Sequence, residues 1–376
     1  MKKKIFYWSP FFSNIATTKA VINSAISVKK FSKEKFEPSI VDVFGEWDDY
    51  IQILNKHDIK IEKLQLDKFF KEKKIKGYLK SRYYQIKIFI LAFFPLLKLI
   101  RNEKPEIFIL HLVTSLPLLI NYLFKFNHKM VLRISGLPKL NFVRKLYWKL
   151  ILKKVDIVTT PTNATKSHFE KIFNHNEIRL LRDPIIFVDQ IKLKKKITRF
   201  DKTKFVAIGR LTKQKNFLFL VECFCEIIKI HPDTFLHILG EGEDRSKIED
   251  FIYRNNLEKN IFLEGYKSNI FEYLQNCDGF ILSSLWEDPG FVLVEAAYSN
   301  TTIISSNCHN GPTEILDNGN NGFLYTVNNK DDFLKKFSIY KNTSQENLIQ
   351  MKINAKKMSK NYSLFSHYSK LKELLI

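Results

Sequence analysis

The second half of the chain holds two carboxylates on either side of a sharp turn. Glu287 and Glu295 are eight residues apart, with a Pro-Gly pair between them. The pattern predicts a loop that carries the first carboxylate and turns into a helix that carries the second. Backbone amides at the start of that helix would be free to bind an anion, namely those of Gly290, Phe291, Val292 and Leu293. Because two carboxylates repel a bare phosphate but accept hydrogen bonds from hydroxyls, we expect a phosphate attached to hydroxyl-rich rings. An acidic helix cap is the alternative.

A basic loop, GRLTKQKN, precedes this segment and directly follows the predicted strand FVAI. Gly209 permits a tight turn there, and Arg210 and Lys215 lie five residues apart before a predicted helix. Two cations in this position can bind a diphosphate, and each charged hydrogen bond contributes about 1.5–3 kcal/mol. A solvated basic turn explains the same residues equally well.

Two further loops contain turn-forming residues. In LGEGEDRSKIE, Gly240 and Gly242 allow the backbone to approach a ligand closely, although the third glycine of a dinucleotide-binding fingerprint is missing. The segment 306–325 is punctuated by Asn, Gly and Pro and is predicted to shape one wall of the site. Cys308 and His309 have no visible catalytic partner in the sequence, so we interpret both as structural.

These loops lie within a regular alternation of strands and helices. In the first half the predicted strands are KKKIFYWSP, PSIVDVF, EIFILHLV, KMVLRIS and VDIVTTP; in the second they are KFVAIGR, TFLHILGEG, NIFLEGY, DGFILSS and TTIISS. Such apolar strands separated by helices indicate parallel sheets covered on both faces. Because the alternation begins again after a polar stretch, we predict an α/β protein with two doubly wound, Rossmann-like domains facing across a cleft.

The predicted domain boundaries follow the same alternation. Residues 1–188 form the first domain, 189–203 a basic linker, 204–351 the second domain, and 352–376 a C-terminal helix that crosses back to the first domain. The length of 376 residues also fits two ordinary domains. The four cysteines form no CxxC pair and follow no secretory signal, so we expect reduced thiols.

Positive charge is concentrated in the first half. Up to Gln190 there are 35 Lys and Arg against 17 acidic residues, residues 191–200 add five basic ones, and the remainder has 21 against 22. We therefore expect the first half to face an anionic partner, either nucleic acid or the cytoplasmic leaflet of a membrane. A composition rich in Lys, Asn, Ile and Phe is the alternative explanation, but it does not account for a neutral second half.

The most apolar run, residues 86–100, is too short and too interrupted to span a bilayer. It follows the basic segment 71–82, so it could lie in a membrane interface. A buried core helix fits equally well, because periodicity does not separate the two.

Taken together, the motifs resemble those of the retaining glycosyltransferases of family 4, which have the GT-B fold. The matching segments are GRLTKQKN, LGEGEDRSKIE, the stretch from Glu287 to Glu295, and GPTEILDNGNNGFLY, in that order. In the first half, EIFILHLVTSLPLL and VDIVTTPTNATKSHFEK resemble the family more loosely. The first loop departs from the family, because it reads PFFSNIATTK where paired glycines are usual.

The resemblance implies two overlapping sets of functional residues. The donor-binding set is Gly209, Arg210, Lys215, Gly240, Tyr266, Glu287, Gly290, Phe291, Val292 and Glu295. The catalytic set is Glu287, Arg210, Lys215 and His111. Among these, Arg210 and Lys215 would hold the pyrophosphate and Glu295 the ribose. Glu287 would bind the donor sugar, Tyr266 would contact the base, and the histidine would face the reacting centre from the first domain.

The activity that the resemblance implies is retaining transfer of a hexose or N-acetylhexosamine from a nucleotide diphosphate sugar to a lipid-linked glycan, as in O-antigen or capsule synthesis. GPTEIL favours UDP over GDP. No cofactor or metal is expected, since cations and a helix N-terminus can stabilise the departing diphosphate and no Asp-x-Asp motif ends a strand. We expect a peripheral protein on the inner face of the cytoplasmic membrane. The alternatives are a nucleotide-sugar epimerase or another GT-B enzyme, and a nucleic-acid-binding protein, for which no recognised module is present.

Overall fold

The computed structural model describes residues 2–12, 16–70, 72, 75, 78–134, 136, 142–173, 177–187 and 203–375. The chain divides into two compact units, the first made of residues 1–185 and 364–376 and the second of residues 186–363. Of the predicted linker at 189–203, only Thr203 is described, and it begins a strand; the rest lies outside the described residues.

In its described residues the first unit contains a seven-stranded parallel sheet with the order β3-β2-β1-β4-β5-β6-β7. The strands are β1 Lys3–Trp8, β2 Phe36–Asp42, β3 Lys60–Lys63, β4 Ile107–Leu110, β5 Lys129–Arg133, β6 Ile157–Thr160 and β7 Ile178–Leu180. Because the strand order reverses direction between β1 and β4, the loops after these two strands diverge and leave space for a ligand at the carboxyl edge.

Helices cover both faces of this sheet. They are α1 Ala16–Phe31, α2 Ile51–Lys56, α3 Tyr78–Leu91, α4 Phe93–Glu103, α5 Ser115–Phe124, α6 Phe142–Ile151 and α7 Asn163–Ile172. Successive β1 side chains alternate between the faces. Tyr7 bonds to Ser24 of α1 at 3.0 Å, whereas Phe6 and Trp8 pack in the core with residues of α3 to α6.

The second unit repeats the architecture with six described parallel strands in the order β10-β9-β8-β11-β12-β13. The strands are β8 Thr203–Ile208, β9 Thr234–Leu239, β10 Ile261–Gly265, β11 Gly279–Leu282, β12 Thr302–Ser306 and β13 Phe323–Tyr325. The helices are α8 Phe217–Ile230, α9 Arg245–Arg254, α10 Ile270–Gln275, α11 Phe291–Tyr298, α12 Pro312–Ile315, α13 Lys330–Asn342 and α14 Gln345–Ser359. The predicted pair of doubly wound α/β sheets is confirmed.

Three described strands were not predicted, namely β3, β7 and β13. All three lie at the edge of a sheet and have only three or four residues. An edge strand has one neighbour and needs no long apolar run. The charged sequence KIEK of β3 therefore carries no strand signal of its own, and its pairing with β2 defines it.

The C-terminal tail forms two helices. The first, α14, begins at Gln345, before the predicted boundary at residue 352, and packs against α11 in the second unit. The second, α15 Leu364–Leu375, packs against α1 in the first unit. His367 fixes it there, because its Nδ1 contacts the Arg182 carbonyl at 2.7 Å and its Nε2 contacts the Ser24 hydroxyl at 2.8 Å.

The apolar run at residues 86–100 is divided between α3 and α4. Among the described residues, no single helix has the length and hydropathy needed to cross a membrane; the helices 79–91 and 93–103 meet these criteria only as a pair, and the pair bends by 51° at the break. Ile88, Leu96 and Ile100 are buried in the core of the first unit. One side of each helix is therefore a core element, as one of the two sequence interpretations predicted.

Candidate functional site

The predicted donor-site loops lie at one edge of the second sheet. They follow β8, β9, β10 and β11, which are neighbours in the sheet. Since all these strands are parallel, their carboxyl ends lie at the same edge. The topology therefore brings together four segments that are well separated in the sequence.

An ion pair links two of these loops. The Lys215 ammonium lies 2.6 Å from Oε1 of Glu287, and their side chains are only 16% and 5% exposed. Ser284 donates a hydrogen bond to the same carboxylate oxygen at 2.5 Å, and Ser283 donates to the Lys215 carbonyl at 2.7 Å. Among the described residues this ammonium makes no other ion pair. Because lysine has three N–H donors, two remain for a ligand.

Glycines pack the first two loops against each other. A Cβ atom at Gly240 would lie 1.8 Å from the Gly209 carbonyl oxygen, and one at Gly242 would lie 2.2 Å from the Leu211 carbonyl oxygen. Glycine is therefore required at both positions by the adjoining loop, and not by a ligand as the sequence predicted. Contact of Gly240 with a donor stays a prediction.

This packing predicts that Gly242→Ala destabilises the second unit by about 2 kcal/mol or more, because backbone atoms must move to relieve the overlap. Gly319→Ala is the control. A Cβ at Gly319 meets nothing within 4 Å, although its φ of +102° disfavours alanine. Urea unfolding should show the larger loss for Gly242→Ala. An equal loss in both variants would mean that the close approach to Leu211 costs no more than the positive φ at Gly319.

The turn before α11 places the first helical amides beside the ion pair. Gly290 has a φ of +95°, and its Cβ position would lie 3.4 Å from the Glu287 side chain. No side chain caps the start of α11 in the described chain, so the amides of residues 290–292 point outward as anion donors. The Leu293 amide is not free, contrary to the sequence prediction, because it donates to the Gly290 carbonyl at 3.0 Å.

The segment 306–325 lies against this turn. A Cβ at Gly311 would lie 2.0 Å from the Pro289 carbonyl oxygen. The side-chain amide of Asn310 donates to the Asp288 carboxylate at 2.8 Å. The Glu287 amide donates to the His309 carbonyl at 3.2 Å. These contacts hold the turn that carries the first carboxylate.

Three other predicted donor residues lie on the same set of loops. Glu295 is in the middle of α11 and is 4% exposed. Arg210 is exposed directly after Gly209, and Tyr266 follows β10 with 78% of its surface exposed. Both exposed side chains are accessible to a ligand, and their contacts with a donor stay predictions.

His111 lies in the first unit, directly after β4. Its amide donates to the Trp8 carbonyl at 2.9 Å, and its buried Nδ1 has no hydrogen-bond partner among the described residues. Burial lowers the pKa of His111 well below its usual value, and the charges of Arg133 and His367 lower it further. The imidazole is therefore neutral at physiological pH.

The cysteine near the site is not a nucleophile. Burial raises the pKa of the Cys308 thiol to about 12, so the thiol remains protonated near neutral pH. His309 is exposed and contributes its backbone carbonyl to the turn.

Two residues of this site were not predicted. Ser283 and Ser284 directly follow β11, and their hydroxyls hold Lys215 and Glu287 in place. The sequence shows two small polar residues at the carboxyl end of a buried strand, which is the signal that could have indicated them. The hydrogen-bond partner of each hydroxyl is evident only in the folded chain.

Two parallel α/β units, one with a cationic loop and a helix N-terminus at its carboxyl edge, are the elements of a GT-B fold. Comparison with solved structures gives the same fold. A glycosyltransferase from Rickettsia africae ESF-5 superposes with a TM-score of 0.76 over 100% of this chain and 98% of that chain, at 17% sequence identity.

Residues 189–358 match the profile of the family Glycosyl transferases group 1. An uncharacterized glycosyltransferase of Methanocaldococcus jannaschii is 34% identical over 246 residues, which are 59% of this chain and 61% of the relative. The UDP-Gal:alpha-D-GlcNAc-diphosphoundecaprenol alpha-1,3-galactosyltransferase of Escherichia coli is 31% identical over 191 residues, 49% of this chain and 48% of that protein. The chain thus aligns with about three fifths or less of the length of these relatives. The match over residues 189–358 bears out the resemblance to glycosyltransferases that the motifs indicate, and membership of family 4 stays a prediction.

Proposed function

We propose that the protein transfers a hexose or N-acetylhexosamine from a UDP-sugar to a lipid-linked glycan, with retention of the anomeric configuration. The observation that carries the proposal is the Lys215–Glu287 pair at 2.6 Å, placed beside the start of α11. A cation, a carboxylate and outward-facing amides at one point match a ligand that combines phosphates with hydroxyls.

Each part of the site has a role in donor binding. Lys215 and Arg210 bind the diphosphate, and the amides of residues 290–292 bind its distal phosphate. Glu287 accepts hydrogen bonds from the donor sugar, while Glu295 accepts them from the ribose. Ser284 and Lys215 hold the Glu287 carboxylate in position, so the site is ordered before the donor arrives.

The reaction breaks the bond between the anomeric carbon and a diphosphate oxygen. A bond from that carbon to the acceptor oxygen forms on the same face, and the departing phosphate takes the acceptor proton. Charge develops on the diphosphate, where Lys215, Arg210 and the helix amides stabilise it without a metal. Among the described residues, no three His, Cys, Asp or Glu side chains are placed to hold a metal ion.

Two observations support the choice of donor and acceptor. The E. coli relative is named for a UDP-sugar and an acceptor on diphosphoundecaprenol. The first half of this chain is strongly basic, which suits an anionic diphosphate lipid and the inner face of a cytoplasmic membrane. Synthesis of a surface polysaccharide is the role consistent with both.

A donor screen tests the proposal. UDP-glucose, UDP-galactose, their N-acetyl derivatives and GDP-mannose are incubated with the protein in EDTA, and binding and slow hydrolysis are measured. We expect binding of at least one UDP-sugar, and transfer to a sugar-diphospholipid whose anomeric configuration is read by NMR. Binding of none of the donors would contradict the proposal, and epimerised sugar formed without acceptor would indicate the epimerase alternative.

A further inference from the structure

Helix α3 has an exposed apolar stripe in addition to its buried side. Leu79, Tyr83, Ile86 and Ile90 are 81%, 58%, 60% and 65% exposed. Their spacing of four, three and four residues places them on one face of the helix. Tyr84, on a different face, is buried in the core. Because α3 is apolar on both sides, the hydrophobic periodicity of its sequence does not distinguish a core helix from an interfacial helix.

Helix α6 has a second stripe of the same kind. Phe142, Leu146 and Leu150 are 83%, 63% and 48% exposed and lie four residues apart. Lys145 and Lys149 are exposed beside them. Solvent-exposed leucine and phenylalanine in a row, flanked by lysine, are typical of a helix that lies on a membrane surface.

The two stripes lie in one helical layer. The crossovers from β3 to β4, β4 to β5 and β5 to β6 all move in the same direction across the sheet, and right-handed crossovers then place α3 to α6 on one face. Consecutive helices of this layer contact each other. The helices between the stripes add further exposed apolar side chains, Phe94 at 75% and Leu123 at 53%. We call this surface the α3–α6 layer.

The layer and its connecting loops are strongly basic. The sequence from Tyr78 to Lys154 contains fifteen Lys and Arg against two acidic residues, Glu103 and Glu106. Glu103 is already paired with Lys4 at 2.9 Å. A second copy of the chain would bring like charges together, and a nucleic acid would match the charge but leave the apolar stripes in water. An anionic bilayer matches both properties.

We propose that the α3–α6 layer docks on an anionic lipid surface. The exposed apolar side chains of α3 and α6 enter the boundary between headgroups and acyl chains, and the flanking lysines contact lipid phosphates. This inference rests on the proposed function, in which the acceptor is lipid-linked, and it assigns the membrane contact to particular helices.

Vesicle flotation with the full chain tests the surface. Phosphatidylcholine vesicles with and without phosphatidylglycerol are compared for the wild type, Ile86→Ser/Ile90→Ser and Phe142→Ser/Leu146→Ser. Each double variant should bind anionic vesicles at least about tenfold more weakly, since two apolar side chains no longer leave water. The matched control is Ile230→Ser/Tyr253→Ser in the second unit, whose side chains are 73% and 74% exposed and whose loss should leave binding unchanged.

A charge variant separates the two contributions. Lys145→Gln/Lys149→Gln should weaken binding to anionic vesicles by about 25-fold at low salt, or about fivefold for each lysine close to the lipid surface, and should leave binding to neutral vesicles unchanged. Thermal unfolding confirms that each variant is folded.

Three results would overturn the inference. The stripe variants could bind vesicles like the wild type, or the second-unit control could weaken vesicle binding equally. The wild type could also form a concentration-dependent dimer that dissociates in the stripe variants. UDP binding is measured on the same preparations. Stripe variants that lose vesicle binding but keep UDP binding support the proposed membrane contact. A wild type that binds vesicles but not UDP contradicts the proposed function and does not contradict the membrane contact.

Discussion

Lys215→Ala is expected to lower the turnover number by about a hundred- to a thousandfold, as loss of one preorganised charge donor at a developing anion does in other enzymes. In the proposed reaction the diphosphate gains negative charge as the sugar departs. The Lys215 ammonium, held 2.6 Å from Glu287, lies at the edge where we propose that the donor binds. The affinity for free UDP should fall less than the turnover number, because the interaction is strongest in the transition state.

The variant also affects stability, and this effect has to be separated from catalysis. Glu287 is 5% exposed, and removing the partner of a buried ion typically costs about 3–5 kcal/mol. In the Glu287→Gln background the same lysine substitution leaves no uncompensated carboxylate. We expect Lys215→Ala/Glu287→Gln to unfold closer to the wild type, and its turnover number to lie well below that of Glu287→Gln alone.

Lys213→Ala is the matched control. Lys213 is exposed on the same loop, and an exposed lysine contributes little to stability. Its removal should change neither turnover nor UDP affinity by more than about twofold. A role for Lys215 in the transition state would be excluded if its substitution reduced UDP affinity and turnover by the same factor.

The segments of the site were predictable, but their contacts were not. GRLTKQKN was recognisable because a glycine and two cations follow a buried strand. Its ion pair joins residues 72 positions apart, and nothing in the local spacing connects them. The contact exists because β8 and β11 are neighbours although β9 and β10 intervene in the sequence. That order results from packing of the whole sheet.

The fold likewise has elements that the local sequence predicts and elements that form only through their contacts. Long apolar strands such as β1 and β9 carry their own signal, since both faces are buried and the sequence must be apolar throughout. The short edge strand β13 carries no such signal and forms through pairing with β12. The Pro-Gly turn predicts the helix start near Gly290. It does not predict that the Leu293 amide is bonded, because the backbone angles of the turn place the Gly290 carbonyl that this amide contacts.

Glu295→Gln is expected to raise the dissociation constant for UDP by about ten- to a hundredfold. The proposed contact is a carboxylate that accepts hydrogen bonds from the ribose hydroxyls, and hydrogen bonds to charged groups contribute about 1.5–3 kcal/mol each. Glutamine keeps the size of the side chain, so α11, in which this position is 4% exposed, should remain packed. Isothermal titration with UDP measures the change directly.

Titration with 2′-deoxy-UDP and 3′-deoxy-UDP identifies the hydroxyl that the carboxylate contacts. In the wild type, removal of the contacted hydroxyl should weaken binding about as much as Glu295→Gln does. In the variant the same removal should have little further effect, because both changes delete one interaction and are therefore not additive. Glu272→Gln, at an exposed position on α10, should bind all three nucleotides like the wild type. Fully additive losses for both deoxynucleotides would place the ribose elsewhere and leave Glu295 a structural residue of α11.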